Sequence, residues 1–145
     1  YPSLQEEKVI MDMMSRNVRQ SDLQVVTDPA GILNTREKVD QVYMDERIKD
    51  YILSLVRATR NPGAFGLDLD QFIQFGASPR ASIFMAMAAK AHAFIRGKGY
   101  VTPQDVKEIG PDILRHRIVL NYEAEAEEIS TEDVIGMVFQ KVAIP

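Results

Sequence analysis

The chain has 145 residues, about the size of one ordinary domain, and 46% of them are apolar, enough to fill a core. Its 21 acidic residues outnumber 17 basic ones, for a formal net charge of -4, which argues against a nucleic-acid module built on a basic stripe. There is no cysteine, which rules out disulfide frameworks and thiolate metal sites, and no uninterrupted apolar run long enough to insert into and span a bilayer.

No secretory signal is visible, and a cytoplasmic location fits a cysteine-free chain. The first residue is Tyr1 rather than Met, which suggests a chain processed or cut from something longer. Internal repeats and low-complexity tracts are absent.

Helix-start signals recur along the chain. Ser3 with Glu6 forms a capping box ahead of "EEKVIMDMM". "LQVV" near residue 25 reads as a short strand. Asp28-Pro29 places a capping acid before a first-turn proline, ahead of "AGILNTREKV". Asp45 precedes "ERIKDYILSLVRATR", where Ile48, Ile52, Leu55 and Val56 recur at helical spacing with Tyr51 alongside. Asn61-Pro62-Gly63 stops that helix, and the stretch to Leu69 reads as a loop.

Ser78-Pro79 opens the most apolar helix, "RASIFMAMAAKAHAFIRG". Ile83, Met87 and Phe94 share one face; Phe84, Ala88, Ala91 and Ile95 line the next. The combined width predicts a central helix contacted on more than one side, with alanines that let its neighbours approach closely. Gly97 or Gly99 ends it.

Thr102, Pro103 and Asp105 then form a capped start, and Gly110-Pro111 is expected to break that helix and begin a short one through Leu114. "RIVLNY" reads as a brief strand, and the acidic stretch 123-128, "EAEAEE", as a solvated segment. Ser130 with Asp133 caps a last helix, "DVIGMVFQKV". The expected fold is mainly α: a compact helical bundle with one or two short strands.

Catalytic groups are scarce. No serine sits in a nucleophile-elbow context, and there is no H-E-x-x-H or calcium-loop pattern. His92, flanked by alanines, reads as a surface or core histidine, and His116 lies between Arg115 and Arg117, a poor place for a metal. "RGKGY" contains Gly97-Lys98 but lacks the rest of a P-loop, and no apolar strand ends in paired acids that could hold magnesium. The chain by itself has no machinery to hydrolyse a nucleotide.

The stretch "GASPRA" stands out because Arg80 occupies the first turn of a helix. Unpaired amide groups and the dipole make that end electropositive, so a cation is mildly unfavourable there unless an anion sits in front of it. With an anion present, the amides and a planar guanidinium suit phosphate. The plain alternative pairs Arg80 with a nearby acid or leaves it in water.

"FGASPRASIFMAMAAKAHAFIRGKGYVTPQDVKEIGPDILRHRIVL" closely resembles the lid subdomain of MoxR-type AAA+ ATPases. "GASPRA", "YVTPQDV" and "LRHRIVL" carry the likeness, and "YP" at the start, "YILSLVRATR" and the closing "VAIP" also fit. The resemblance covers nearly the whole chain. It implies one domain, residues 1–145: the C-terminal lid of a longer ATPase whose nucleotide-binding core is absent.

In that family the arginine matching Arg80 is the sensor 2 residue, which reaches the terminal phosphates of ATP held by the core. Gly76, Ala77, Ser78 and Pro79 would shape the lid's edge of the nucleotide pocket. Ordinary core packing is expected of Tyr51 and Ile52, with contacts to the base as the alternative; Arg117 of the "HR" pair is expected to have an internal, structural role rather than to reach acids of the next subunit.

The parent would use ATP with magnesium, and the fragment alone is expected to bind neither. Implied partners are the ATPase core of the same chain, neighbouring subunits of a hexameric ring and a von Willebrand A domain protein. The implied task is chaperone-like assembly of protein or metal-cofactor complexes. Two other classes remain open on the residues alone. One is a free-standing helical interaction module. The other is a helix-turn-helix DNA binder, which the few basic residues (Lys107, Arg115, Arg117) support poorly.

Overall fold

Local capping decides where most of the helices begin. The computed structural model describes residues 1–15 and 24–145. It divides the chain into two compact units, Tyr1–Ile32 and Leu33–Pro145. In the first unit, helix α1 (Leu4–Met14) starts at the expected box: Glu6 accepts from the Ser3 backbone and hydroxyl, each at 2.7 Å. Those bonds hold the Glu6 carboxyl below its ordinary pKa. Helix α2 (Pro29–Asp40) starts where Asp28 accepts from the Gly31 amide at 2.7 Å.

The strand expected at "LQVV" is not found. Gln24 to Val26 are irregular, and Leu23 lies outside the described residues. Val25 and Val26 are exposed; two β-branched residues do not make a strand without a partner to accept their hydrogen bonds and a surface to cover them.

In the second unit, Asp45 caps α3 (Glu46–Ala58) by accepting from the Arg47 amide at 2.9 Å. Ile48, Tyr51, Ile52, Leu55 and Val56 are all buried, as their spacing predicts. Burying a side chain such as Leu55 contributes about 1.5–3 kcal/mol. Asn61-Pro62-Gly63 ends the helix, but the following loop contains a 3₁₀ turn, Pro62–Phe65, closed by Gly66 in the left-handed region.

The longest helix, α4 (Pro79–Ile95), corrects its expected faces. The buried stripe is Ala81, Met85, Ala89 and Ala93, spaced by four. Ile83 (59% exposed), Phe84 (43%), Met87 (59%) and Ile95 (80%) face outward. The small side chains win the inner face because they let two helices approach: α4 packs on α3 and on α5 (Pro103–Leu114) through that stripe. Its end matches expectation. Gly97 takes φ +71 while Lys98 and Gly97 donate to the carbonyls of Ala93 and Phe94, a Schellman closure.

Helix α5 is one element, not two. Pro111 lies inside it, and the ladder resumes with the Arg115 amide donating to Pro111 at 2.9 Å. Tertiary packing overrides the local breaker. Gly110 is pressed against Phe139 of α7 (Thr131–Lys141), and a Cβ there would lie 2.2 Å from the ring.

The strand expected in "RIVLNY" is β2 (Val119–Leu120), which pairs antiparallel with a strand the sequence reading did not name, β1 (Ile73–Phe75). The acidic stretch is exposed at its glutamates but not wholly solvated. Asn121 caps a five-residue helix, α6 (Tyr122–Ala126), which buries Ala124 completely. Ser130 and Asp133 form the expected box on α7. The described residues are mainly helical with one two-stranded sheet, as expected.

Candidate functional site

The stretch from Gly76 to Arg80 links β1 to α4, and it is tightly pinned at one end. A Cβ on Gly76 would lie 2.2 Å from the Thr59 carbonyl oxygen and 2.8 Å from the Arg60 Cα. Only glycine lets the loop lie so close against the end of α3. The next residue, Ala77, is fully buried, and its amide donates to Thr59 Oγ1 at 2.9 Å. The Thr59 hydroxyl in turn donates to the Val56 carbonyl at 2.7 Å. Ser78, Pro79 and Arg80 then emerge into solvent.

Ser78 occupies the N-cap position, with φ -69 and ψ 167, but its side chain makes no capping hydrogen bond, against expectation. Its carbonyl accepts from the Ala81 amide at 2.9 Å. Pro79 takes the first helical position as expected. The first turn of α4 holds no acid, whereas α1, α3, α5 and α7 each hold at least one. Arg80 is exposed and meets no carboxylate among the described residues. The positive end of this helix thus carries a further, uncompensated positive charge.

Arg80 also heads the exposed apolar face of α4. Ile83, Phe84 and Met87 follow it three, four and seven residues on, so they lie along one side of the helix below the guanidinium.

The other candidates sort differently. Tyr51 and Ile52 are core residues, 3% and 2% exposed. Burial raises the Tyr51 pKa, and its hydroxyl has no hydrogen-bond partner among the described residues. His92 is half-buried and belongs to a clamp between α4 and α5. Its Nδ1 lies 2.9 Å from Asp105 and its Nε2 3.0 Å from Glu108. Lys98 reaches Asp105 at 3.0 Å, and Arg96 reaches Glu108 at 3.3 Å.

Asp105 is completely buried, and also accepts from the Thr102 hydroxyl at 2.6 Å and the Thr102 amide at 2.8 Å. Burial opposes its ionisation, but the bonds from Thr102, Lys98 and His92 together outweigh it and hold the carboxyl far below the ordinary range. Sequence reasoning found the Thr102–Asp105 box; the convergence of His92 and Lys98 on the same carboxylate needed the α4–α5 packing.

Arg117 donates to the Ile113 carbonyl at 2.6 Å, lies beside the His116 ring and stacks over Phe84 with its guanidinium 5.2 Å from the ring centroid. Arg115 bridges Asp112 and Glu132. Among the described residues, no group of three or more histidine and acid side chains is placed to hold a metal ion.

Residues 68–136 match the family model of the AAA lid domain. Residues 68–136 are an AAA lid domain. Along its whole length it is 42% identical to Chaperone MoxR1 of Mycobacterium tuberculosis, of which it spans 38%. Over 68% of its length it is 33% identical to Protein MoxR of Methylorubrum extorquens, spanning 30% of that protein. A solved structure of a candidate ATPase from Cytophaga hutchinsonii superposes on this chain with a TM-score of 0.94 and 40% identity. It matches all of this chain and 44% of that one. The chain therefore spans well under half the length of these relatives. Among the described residues, no helix of the lid is long and apolar enough to cross a membrane.

Proposed function

We propose that residues 1–145 form the C-terminal lid of a longer MoxR-like AAA+ ATPase whose core binds ATP with magnesium, and that Arg80 is its sensor 2 residue. The observation that carries this reading is Arg80 itself: exposed, without an acid among the described residues, on a helix start that lacks both a side-chain cap and a first-turn acid. The Thr59–Ala77 bond and the close fit of Gly76 hold the approach to that turn in place. A terminal phosphate offers the charge this end lacks.

The mechanism follows from differential contact. ATP in the core presents its terminal phosphate, Arg80 pairs with it, and the lid is drawn down. Loss of that phosphate on hydrolysis removes the contact, and the lid angle relaxes. A ligand shifts a conformational equilibrium only through such a difference in contact between states. Gly76, Ala77, Ser78 and Pro79 shape the lid's edge of the pocket, and Ile83, Phe84 and Met87 meet the core when the lid closes. In a hexameric ring, neighbouring subunits would feel the lid angle, converting turnover into work on a client. The name of the tuberculosis relative supports a chaperone role. Assembly of protein or metal-cofactor complexes with a von Willebrand A domain partner is the specific task proposed.

The test is Arg80→Ala in the full-length protein. ATP turnover is expected to fall by about 10²-fold or more, as for other preorganised charge donors. Stability is expected to change by no more than about 0.5 kcal/mol, because the side chain is exposed and has no acid partner. Wild-type turnover in that variant refutes the role. The exposed face of α4 would also suit a free-standing interaction module. Absence of ATP binding by the full-length protein would favour that reading instead.

A further inference from the structure

Arg80 is not the only guanidinium on this side of α4 without an acid. Arg47, Arg96 and Arg115 each face a carboxylate. Arg117, from the turn between α5 and β2, faces none among the described residues. It stands instead over Phe84, 5.2 Å from the ring centroid. Phe84 lies one helical turn after Arg80, and helical side chains lean toward the N-terminus, so its ring covers the turn that carries Arg80. Arg117 is thus placed against a ring that lies one helical turn from Arg80.

Among the described residues only one nitrogen of Arg117 is used, in the bond to the Ile113 carbonyl, with the His116 ring beside it. A guanidinium has five N–H donors, so most remain available. The bond to Ile113 and the stack on Phe84 hold its plane in place, which lowers the entropy lost when an anion binds. Neither Arg80 nor Arg117 is paired with an acid among the described residues, and a polyanion long enough to meet both would neutralise them together.

Resting on the reading of Arg80 as a phosphate contact, we propose that Arg117 is a second guanidinium of the same site, binding another oxygen of the nucleoside triphosphate's phosphate chain. The proposal has one structural competitor, in which Arg117 only closes the end of α5 and props Phe84.

Two substitutions in the full-length protein separate them. Arg117→Gln keeps an N–H for the Ile113 carbonyl and removes the charge; Arg117→Lys keeps the charge as a flexible point. ATPase kinetics and melting temperature are measured for both, and for Arg80→Ala in parallel. The expected result is a KM for ATP raised about tenfold in Arg117→Gln, the loss of one charge-assisted bond. Arg117→Lys is expected to stay within about threefold of wild type, with both variants melting near wild type. A wild-type KM in Arg117→Gln overturns the proposal. Equal losses in the two variants that follow a lowered melting temperature also overturn it and leave Arg117 as a prop. Wild-type kinetics in Arg80→Ala would sink the underlying lid reading. Impaired Arg80→Ala beside an unaffected Arg117→Gln sinks the second cation alone.

Discussion

The two ends of α4 treat charge in opposite ways. At the C-terminal end, His92, Arg96 and Lys98 all meet carboxylates on α5, and Gly97 closes the helix with a Schellman turn. At the N-terminal end, Arg80 meets no acid among the described residues and Ser78 leaves its hydroxyl out of the cap. Charge satisfied inside the domain holds helices together and has nothing left to offer a ligand. Charge left over at a pinned helix start adds little to the fold and is free to meet something outside it.

The comparison breaks most readily at Asp105. Asp105→Ala leaves Lys98 and His92 facing a buried void and is expected to cost about 3–5 kcal/mol, as removal of one partner from a buried ion pair does. Urea denaturation measures it. A loss under about 1 kcal/mol would mean that the clamp is not what joins α4 to α5. Arg80→Ala is the opposite case, with a large effect on turnover and little on stability.

Acid sharpens the same contrast. Asp105 has its folded pKa depressed, so its contribution is fully present above its ordinary value of 3.8 and is lost as the pH falls below it. The unfolded chain takes up a proton that the folded one refuses. Stability of the wild-type chain is therefore expected to decline steeply below about pH 4, and Asp105→Asn to flatten part of that decline. Parallel wild-type and variant curves would contradict the assignment.

The smallest effects compare two caps. Asn121 accepts from the amides of Glu123 and Ala124 and donates to the Gln71 carbonyl at 2.6 Å, so Asn121→Ala is expected to cost about 1 kcal/mol. Ser78→Ala is expected to change stability by no more than a few tenths, since no capping bond is lost. Equal losses in thermal melts of the two variants would show that Ser78 does cap α4.

Much of the fold was legible because its signals are local. A capping box needs residues three apart, an N-cap acid sits beside the helix it starts, and a Schellman turn needs a glycine after the last turn, so the starts of α1, α3, α5 and α7 and the end of α4 were readable. "GASPRA" was readable too, because a cation in a first turn is unusual wherever it occurs. Pro111 misled because its breaking tendency is also local, whereas the fit of Gly110 against Phe139 that keeps α5 whole belongs to a partner nearly 30 residues away. Strand β1 was missed because three residues carry too little alternation to register.

Residue spacing and composition alone determined that this chain is mainly helical, where most of its helices begin, and that Arg80 stands at a helix mouth. The fold decided which side of α4 faces inward: hydrophobicity favoured the bulky side chains, but the separation between helix axes selected the alanines, and only packed neighbours set that separation. It also decided that Arg117 stands over Phe84, because residues 33 positions apart in the chain meet only when α5 lies along α4.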